Sequence, residues 1–276
     1  FLNLRIIQSP QGVSMDQTSH ITSKILHEYF LDVPPTSIPK TPYPFPIEAS
    51  FEQLLYEAPP LVGHALHLKE KAFKFSFNHL VGALMHVAGI SRPDLAYACM
   101  RFSGYMATPN APIFDALHQT FCYLYHHPHL PIMYPSKPLR HGGDALQTFW
   151  DTGKAEYLSP EFGDELSTFI DADHARCLRT RRSTSVYFIL FNGVVVSWSC
   201  KKQQQTALHS TGSEITALHR GAFKTVLLRS FLQSIGIYLN TPTPTYEDNQ
   251  GTIKLVRTHR LTDTVRHHAV KIAWLN

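Results

Sequence analysis

LSTFIDADHA, residues Leu166 to Ala175, sets the carboxylates Asp171 and Asp173 directly behind a short apolar run. Leu166, Phe169 and Ile170 read as a strand, and a strand that ends in acids carries them to the rim of a sheet, where α/β folds build their sites. Taken alone, Asp-x-Asp reads as a surface turn. Two later acids change that. Glu214 stands at the start of the apolar-periodic stretch STGSEITALHRGAFKTVLLRSFLQSIG, and Asp248 closes the strand-like PTPTYE ahead of NQGTIKLV, another helical pattern. Strand–acid, acid–helix and strand–acid–helix, in that order, can gather three carboxylates around hard cations.

Outward from this core, Thr184–Phe191 and Val194–Lys201 read as strands joined at Asn192-Gly193, the strongest short hairpin signal. A helix over Ser213–Ile235 stops at Gly236, a central strand covers Thr243–Glu247, and helices follow at Asn249–Arg257 and about Val265–Leu275. Upstream, Phe1–Ile7 and Val13–Met15 read as strands, and Asp16–Phe30 as a helix with Ile21, Ile25, Leu26 and Tyr29 on one side. Prolines crowd Val33–Pro60, which reads as an extended connector, and Lys69–Lys74 reads as a solvated basic loop. Asn78–Ala88, a helix started by Ser91-Arg92-Pro93-Asp94, and Ala111–His126 capped by Asn110 suggest a small bundle whose aromatic stripe is core. Pro131–Trp150 reads as edge strands around a Gly142-Gly143 turn.

The chain has 276 residues, 43% of them hydrophobic, so it can bury one large core or two modest ones. Lys plus Arg number 25 against 21 Asp plus Glu, a mildly basic balance compatible with nucleic acid. Cysteines at 99, 122, 177 and 200 form no metal or redox spacing, which points to reduced thiols in an intracellular setting. No apolar run approaches the ~20 residues that span a bilayer, so no membrane partner is expected. His118, His126, His127 and His129 cluster without partners that would make a metal site. Phe1 reads as an internal cut rather than a natural start.

The motifs follow one family's order. FIDADHA, RRSTSVYFILFNGVVVSWSCKKQQQTALHSTGSEITAL and YEDNQGTIKLV resemble, with similar gaps, the SDADWA, RRSTSGY, WxSKKQ, SSTEAEYxAL and DNQxAI of the RNase H domain in copia-type LTR retrotransposon polyproteins. GISRPDLAYACMRFSGYMATPNAPIFDALHQTFCYLYHHP is similar to the segment joining polymerase to RNase H, and FLNLRIIQSPQGVSMDQTSHITSKIL to the stretch just after the polymerase palm. The resemblance implies a mixed α/β fold, an RNase H-like mixed sheet flanked by helices and preceded by a small helical thumb or connection region. The implied domains are a post-palm remnant with its Pro-rich connector (1–62), a helical connection (63–147) and an RNase H-like domain (148–276), cut short at its C-terminus.

The implied activity is two-metal hydrolysis of RNA in an RNA–DNA hybrid, with the palm and fingers of the same polyprotein's reverse transcriptase as a further partner. By their match to the family, Asp171 would bridge two Mg²⁺ ions, Glu214 would hold one, Asp248 would be a further ligand, and Asp173 would support them from behind. Mn²⁺ is the alternative ion. Arg181 and Arg182 before one strand, with Lys201, Lys202 and Gln203 after another, match motifs placed to hold nucleic acid; taken alone, either cluster reads as a solubilising edge. The chain departs from the pattern at His174 for Trp, at Gly212-Ser213 for Glu-Ala, and at Ala269, where a fourth carboxylate is expected and Asp263 is the nearest acid. Losing one ligand should weaken the second ion most, at on the order of 3–4 kcal/mol of transition-state stabilisation, or several hundredfold in rate. The competing reading is an inactive fragment that only binds nucleic acid or packs against a polymerase. The polymerase's YxDD loop is absent, so no DNA synthesis is expected.

Overall fold

The computed structural model describes residues 3–30, 34–44, 49–136, 166–258, 266 and 268–275. The fold is mixed α/β, and the chain divides into two compact units, Phe1–Gln8 with Val13–Met133, and Ser9–Gly12 with Tyr134–Asn276. The strands and Gly142-Gly143 turn expected beyond Ser136 lie outside the described residues, as does Asp263.

Strands β1 (Arg5–Ser9), β2 (Gly12–Asp16) and β3 (Ile132–Pro135) lie side by side in that order. The other regular elements described in the first unit are helices. The helix expected over Asp16–Phe30 forms as α1 (Thr18–His20), a π-helical segment (Ile21–Leu26) and α2 (His27–Tyr29), and it buries Ile21, Ile25, Leu26 and Tyr29. Thr22 and Ser23 donate back to the carbonyls of Thr18 and Ser19, competition of a kind that bends helices. α5 (Phe77–Ile90), α6 (Ala96–Ser103) and α7 (Ala111–His126) carry the core through Leu80, Leu84, Phe102, Leu117 and Phe121, and Asn110 caps α7 by accepting from the Ile113 N–H at 3.1 Å.

The proline-rich connector is not all extended. Its proline-free piece ASFEQLLYE forms α3 (Ala49–Glu57), which buries Leu55 and pairs Glu52 with the buried Arg101. The expected basic loop is also helical: Lys69 and Lys71 occupy the last turn of α4 (Gly63–Ala72), where the helix dipole favours cations. Ser91 caps nothing. Its hydroxyl donates to Gln17 at 2.9 Å, while the buried Arg92 guanidinium grips Asp94 and the His127 carbonyl.

In the second unit β4 (Leu166–Asp173), β5 (Thr184–Phe191) and β6 (Val194–Lys202) form an antiparallel meander, with the β5–β6 turn where Asn192-Gly193 placed it. β7 (Thr245–Tyr246) joins β4 in parallel, so the order is β6-β5-β4-β7 and the sheet is mixed. The strand expected to be central is therefore short and stands at the end of the described sheet.

The long helix α8 (Ser210–Ser234) crosses this sheet. It touches β4 closely because residue 221 is glycine: a Cβ there would lie 2.4 Å from Ile170 Cδ1. One turn further on, the buried hydroxyls of Thr225 and Thr168 share a hydrogen bond of 2.7 Å. Gly236 takes φ +86° and ends the helix as expected. His209 holds the N-cap position without a side-chain bond, so the Ser210-Thr211 pair lies inside the helix instead of capping it. α9 (Gln250–Thr258) and α10 (Ala269–Leu275) pack on α8.

Candidate metal centre

Three elements deliver one acid each to a common point. Asp171 lies near the C-terminal end of β4, and the parallel pairing Phe169↔Tyr246, continued by two residues, brings Asp248 level with it. Stacking of the Phe169 and Tyr246 rings, with centroids 4.6 Å apart, and a 3.0 Å bond from the Thr168 N–H to the Pro244 carbonyl fasten β7 in that register. Glu214 enters from the first turns of α8. Ligand oxygens of Asp171, Glu214 and Asp248 all lie within 4.8 Å of one another. Among the described residues no other group of His, Cys, Asp or Glu converges in this way, and the histidines of α7 do not.

Carboxylates outnumber cations here: Asp171, Glu247 and Asp248 line one cleft with a single arginine, Arg257, among its described lining residues. Glu214 is 6% exposed, and its Oε2 meets no donor among the described residues. Burial raises its acid to about 8, the charges of Glu247, Asp171 and Asp248 add to the rise, and the Ala172 N–H opposes it. Burial raises Glu247 to about 7 as well, against a hydrogen bond from the Asn249 N–H. Asp171 is raised by desolvation and then by the charge of Asp248. Divalent cations are what such a set of hard oxygen donors suits: buried oxygens without donors are costly, and Mg²⁺ and Mn²⁺ bind carboxylates.

Glu247 is the residue that sequence reasoning missed. Its position between Tyr246 and Asp248 reads as the tail of a strand, yet it lines a cleft of about 610 Å³ together with Asp171 and Asp248. Asn249 shapes the turn there: its N–H donates to Glu247 Oε1 at 3.1 Å, and its own Oδ1 caps α9 by accepting from the Thr252 N–H at 2.9 Å. Asp173, the expected support, is not one of the converging acids; its carboxylate lies 3.9 Å from the Arg176 guanidinium.

The residues expected to hold nucleic acid divide. Lys201 and Lys202 line a second hollow of about 610 Å³, joined by Arg220 and His219 of α8 and by His268 and Lys271 beside it; among the described residues no carboxylate lines it. Lys271 donates to Thr216 at 2.9 Å and Lys202 to Cys177 at 3.1 Å. Gln203 also borders the hollow, but its buried amide donates to Ser185 and to the Ser213 carbonyl, each at 2.9 Å, and so ties β6 to the start of the Glu214 helix. That amide group is committed within the protein. Arg181 and Arg182 are exposed on the loop after Cys177 and stand apart from the hollow.

Three residues at these departures, His174, Gly212 and Ser213, each face a neighbour distant in sequence. His174 Nδ1 lies 3.4 Å from the Ser213 hydroxyl, and a Cβ on Gly212 would lie 3.0 Å from His268 Nε2. The ring at 268 fits because residue 212 has no side chain.

With this fold and site in view, the chain can be set beside the known proteins it is similar to. Pol polyproteins of copia-type transposons are among them at about 25% identity, which supports a retrotransposon Pol-derived protein. It is 24% identical over 270 residues to the retrovirus-related Pol polyprotein from transposon RE1 of Arabidopsis thaliana, a match covering 98% of this chain and 16% of the polyprotein. An uncharacterized mitochondrial protein of the same plant is 26% identical over 218 residues, 79% of this chain and 73% of that protein. Secreted RxLR effector protein 161 of Plasmopara viticola is 32% identical over 152 residues, 54% of this chain and 87% of the effector. The chain thus spans about a sixth of the length of the Pol polyprotein it matches. No protein-family profile matches the chain, and no solved structure does.

Proposed function

We propose that the second unit is an RNase H-type endonuclease domain that cuts the RNA strand of an RNA–DNA hybrid, with Asp171, Glu214 and Asp248 as the metal ligands. The observation that carries this reading is the convergence of those three carboxylates, with a buried, donorless oxygen on Glu214. Bound there, a pair of Mg²⁺ or Mn²⁺ ions would activate water and neutralise charge on the phosphate. The chain's own part is to hold the ligands. β4 and β7 fix Asp171 and Asp248 side by side, and α8, locked to β4 at Gly221 and Thr225, presents Glu214 to them. The Lys201–Lys271 hollow supplies cations to a phosphate backbone, whose attraction is electrostatic and independent of sequence. The palm and fingers of a reverse transcriptase from the same polyprotein are the proposed protein partner, and the proposed setting is intracellular. All four cysteines are free thiols, and among the described residues no helix is long and apolar enough to cross a membrane.

Incubation of the chain with an end-labelled hybrid duplex and either metal tests this. Site-specific RNA cuts that vanish in Asp171→Asn support it. Binding of the hybrid without cutting, in both metals, replaces it with the second reading, a retrotransposon-derived fragment that grips nucleic acid through the basic hollow; Ala269 in place of an acid is the observation that favours that alternative.

A further inference from the structure

Ala269 opens α10 with a methyl group that cannot hold a cation. A different acid reaches the cleft. Glu247 lines it together with Asp171 and Asp248. Continuing the β4–β7 register sets Glu247 level with Ile170, the residue that meets α8 at Gly221. Glu247 is therefore directed to the face on which α8 lies, and among neighbouring charges it acts most strongly on Glu214, ahead of Asp171 and Asp248. One of its oxygens has a structural duty, since Oε1 closes the turn by accepting from the Asn249 N–H. The other has none. Oε2 is buried and meets no donor among the described residues, which is also the condition of Glu214 Oε2 on the facing helix.

Two buried, donorless carboxylate oxygens from different elements, close enough for Glu247 to be the strongest neighbouring charge on Glu214, need a cation to offset their lost hydration. We propose that Glu247 is the fourth carboxylate of the metal centre, filling the ligand role that Ala269 leaves vacant. The proposal rests on the reading of Asp171, Glu214 and Asp248 as ligands. Glu247 is not part of the group whose oxygens all lie within 4.8 Å, so it is assigned to a second cation beside Glu214. The Glu-Asp pair at the end of β7 then supplies two ligands from one turn, held in shape by Asn249.

Direct titration with Mn²⁺, followed by the loss of the free-ion paramagnetic resonance signal, tests this on the full chain without substrate. Wild type should bind two ions, and Asp171→Asn should lose both. Glu247→Gln, which keeps size and the bond to Asn249, should retain the first ion and bind the second on the order of 10–100-fold more weakly. Ala269→Asp should leave both affinities within about threefold, since the role is already filled. Thermal melts of each variant separate loss of ligand from loss of fold. Should Glu247→Gln melt early, Glu247→Asp, which keeps the charge but shortens the reach, should bind the second ion at an intermediate strength. Two ions bound by Glu247→Gln at wild-type strength would overturn the proposal and leave the three-acid reading standing. Tenfold tighter second-site binding in Ala269→Asp would also overturn it. No ion bound by wild type would overturn both.

Discussion

The acidic cleft and the basic hollow of the second unit are each about 610 Å³ and both draw on the α8 region, yet they manage charge in opposite ways. In the hollow the cations have found partners or water: Lys202 reaches Cys177, Lys271 reaches Thr216, and Lys201 is exposed. At the acidic site Glu247, which lines the cleft, and Glu214 on α8 each bury an oxygen with no donor among the described residues. A surface of cations can wait in solvent for an anion at little cost. Buried acids cannot wait; they hold a proton or a metal. The difference separates the region proposed to grip from the region proposed to need an ion.

The largest effect should come from removing Asp171, the acid proposed to serve both ions. Asp171→Asn should abolish Mn²⁺ binding and reduce hybrid cleavage by several hundredfold or more, the on-the-order-of 3–4 kcal/mol that single losses of transition-state stabilisation cost. Affinity for the hybrid, measured without divalent metal, should not fall, because the hollow is untouched. A variant that loses cleavage and hybrid binding together would erase the distinction between the two regions.

The same contrast predicts an unusual pH profile. Glu214 and Glu247 are raised in the folded chain from 4.5 to about 8 and about 7 by burial and then, for Glu214, by neighbouring carboxylates. Folding therefore takes up protons between about pH 4.5 and 8, and metal-free stability must fall as pH rises through that window, since the unfolded chain binds fewer protons there. Melting temperatures in chelator should drop from pH 5 to pH 8. Added Mn²⁺ should restore stability at pH 8 and do little at pH 5, where it must displace protons. A flat profile in chelator would show that the two acids are better solvated than the cleft suggests.

Gly221→Ala tests the wall that positions both regions. Its Cβ would meet Ile170 Cδ1 at 2.4 Å, so Ile170 must turn or α8 must lift. A loss of about 1–3 kcal/mol in unfolding free energy is expected from such overpacking, despite alanine's better helix propensity. Denaturant melts measure it. A lifted α8 would also carry Glu214 away from Asp171, so second-ion affinity should fall in the same variant.

Much of this was legible in the sequence because it is local. The Asn192-Gly193 hairpin, Gly236 as a helix stop and the acids at strand and helix ends all depend on neighbours within a few residues. What escaped depends on distant partners. Glu247 takes its buried environment from α8 and the cleft rather than from Tyr246 or Asp248, so no pattern in YEDNQ marks it. α3 was hidden by the prolines around it, although ASFEQLLYE contains none. The fits of His174 with Ser213 and of Gly212 with His268 span some 39 and 56 residues of chain, and each departure looks like an isolated defect until its partner is seen.

The smallest effect concerns the hollow. Arg220→Gln and Lys271→Gln each remove one cation from a groove that no acid lines among the described residues. Burial lowers the Lys271 amine below its usual range, which marks a partly desolvated charge with more to gain from a phosphate than an exposed lysine has. If each side chain contacts one backbone phosphate, each substitution should weaken hybrid binding only severalfold. It should also lower the slope of log affinity against log salt by roughly 0.7–0.9, the counterions released per phosphate neutralised. Cleavage at saturating hybrid should be unchanged, because neither residue touches the cleft. Fluorescence polarisation across a salt series measures the slope, with Arg181→Gln as the comparison on the exposed loop. Equal slopes for the Lys271→Gln variant and wild type would mean that the hollow does not meet the backbone. A larger loss from Arg181→Gln would move the grip to the loop after Cys177, the other of the two clusters that match the sequence motifs.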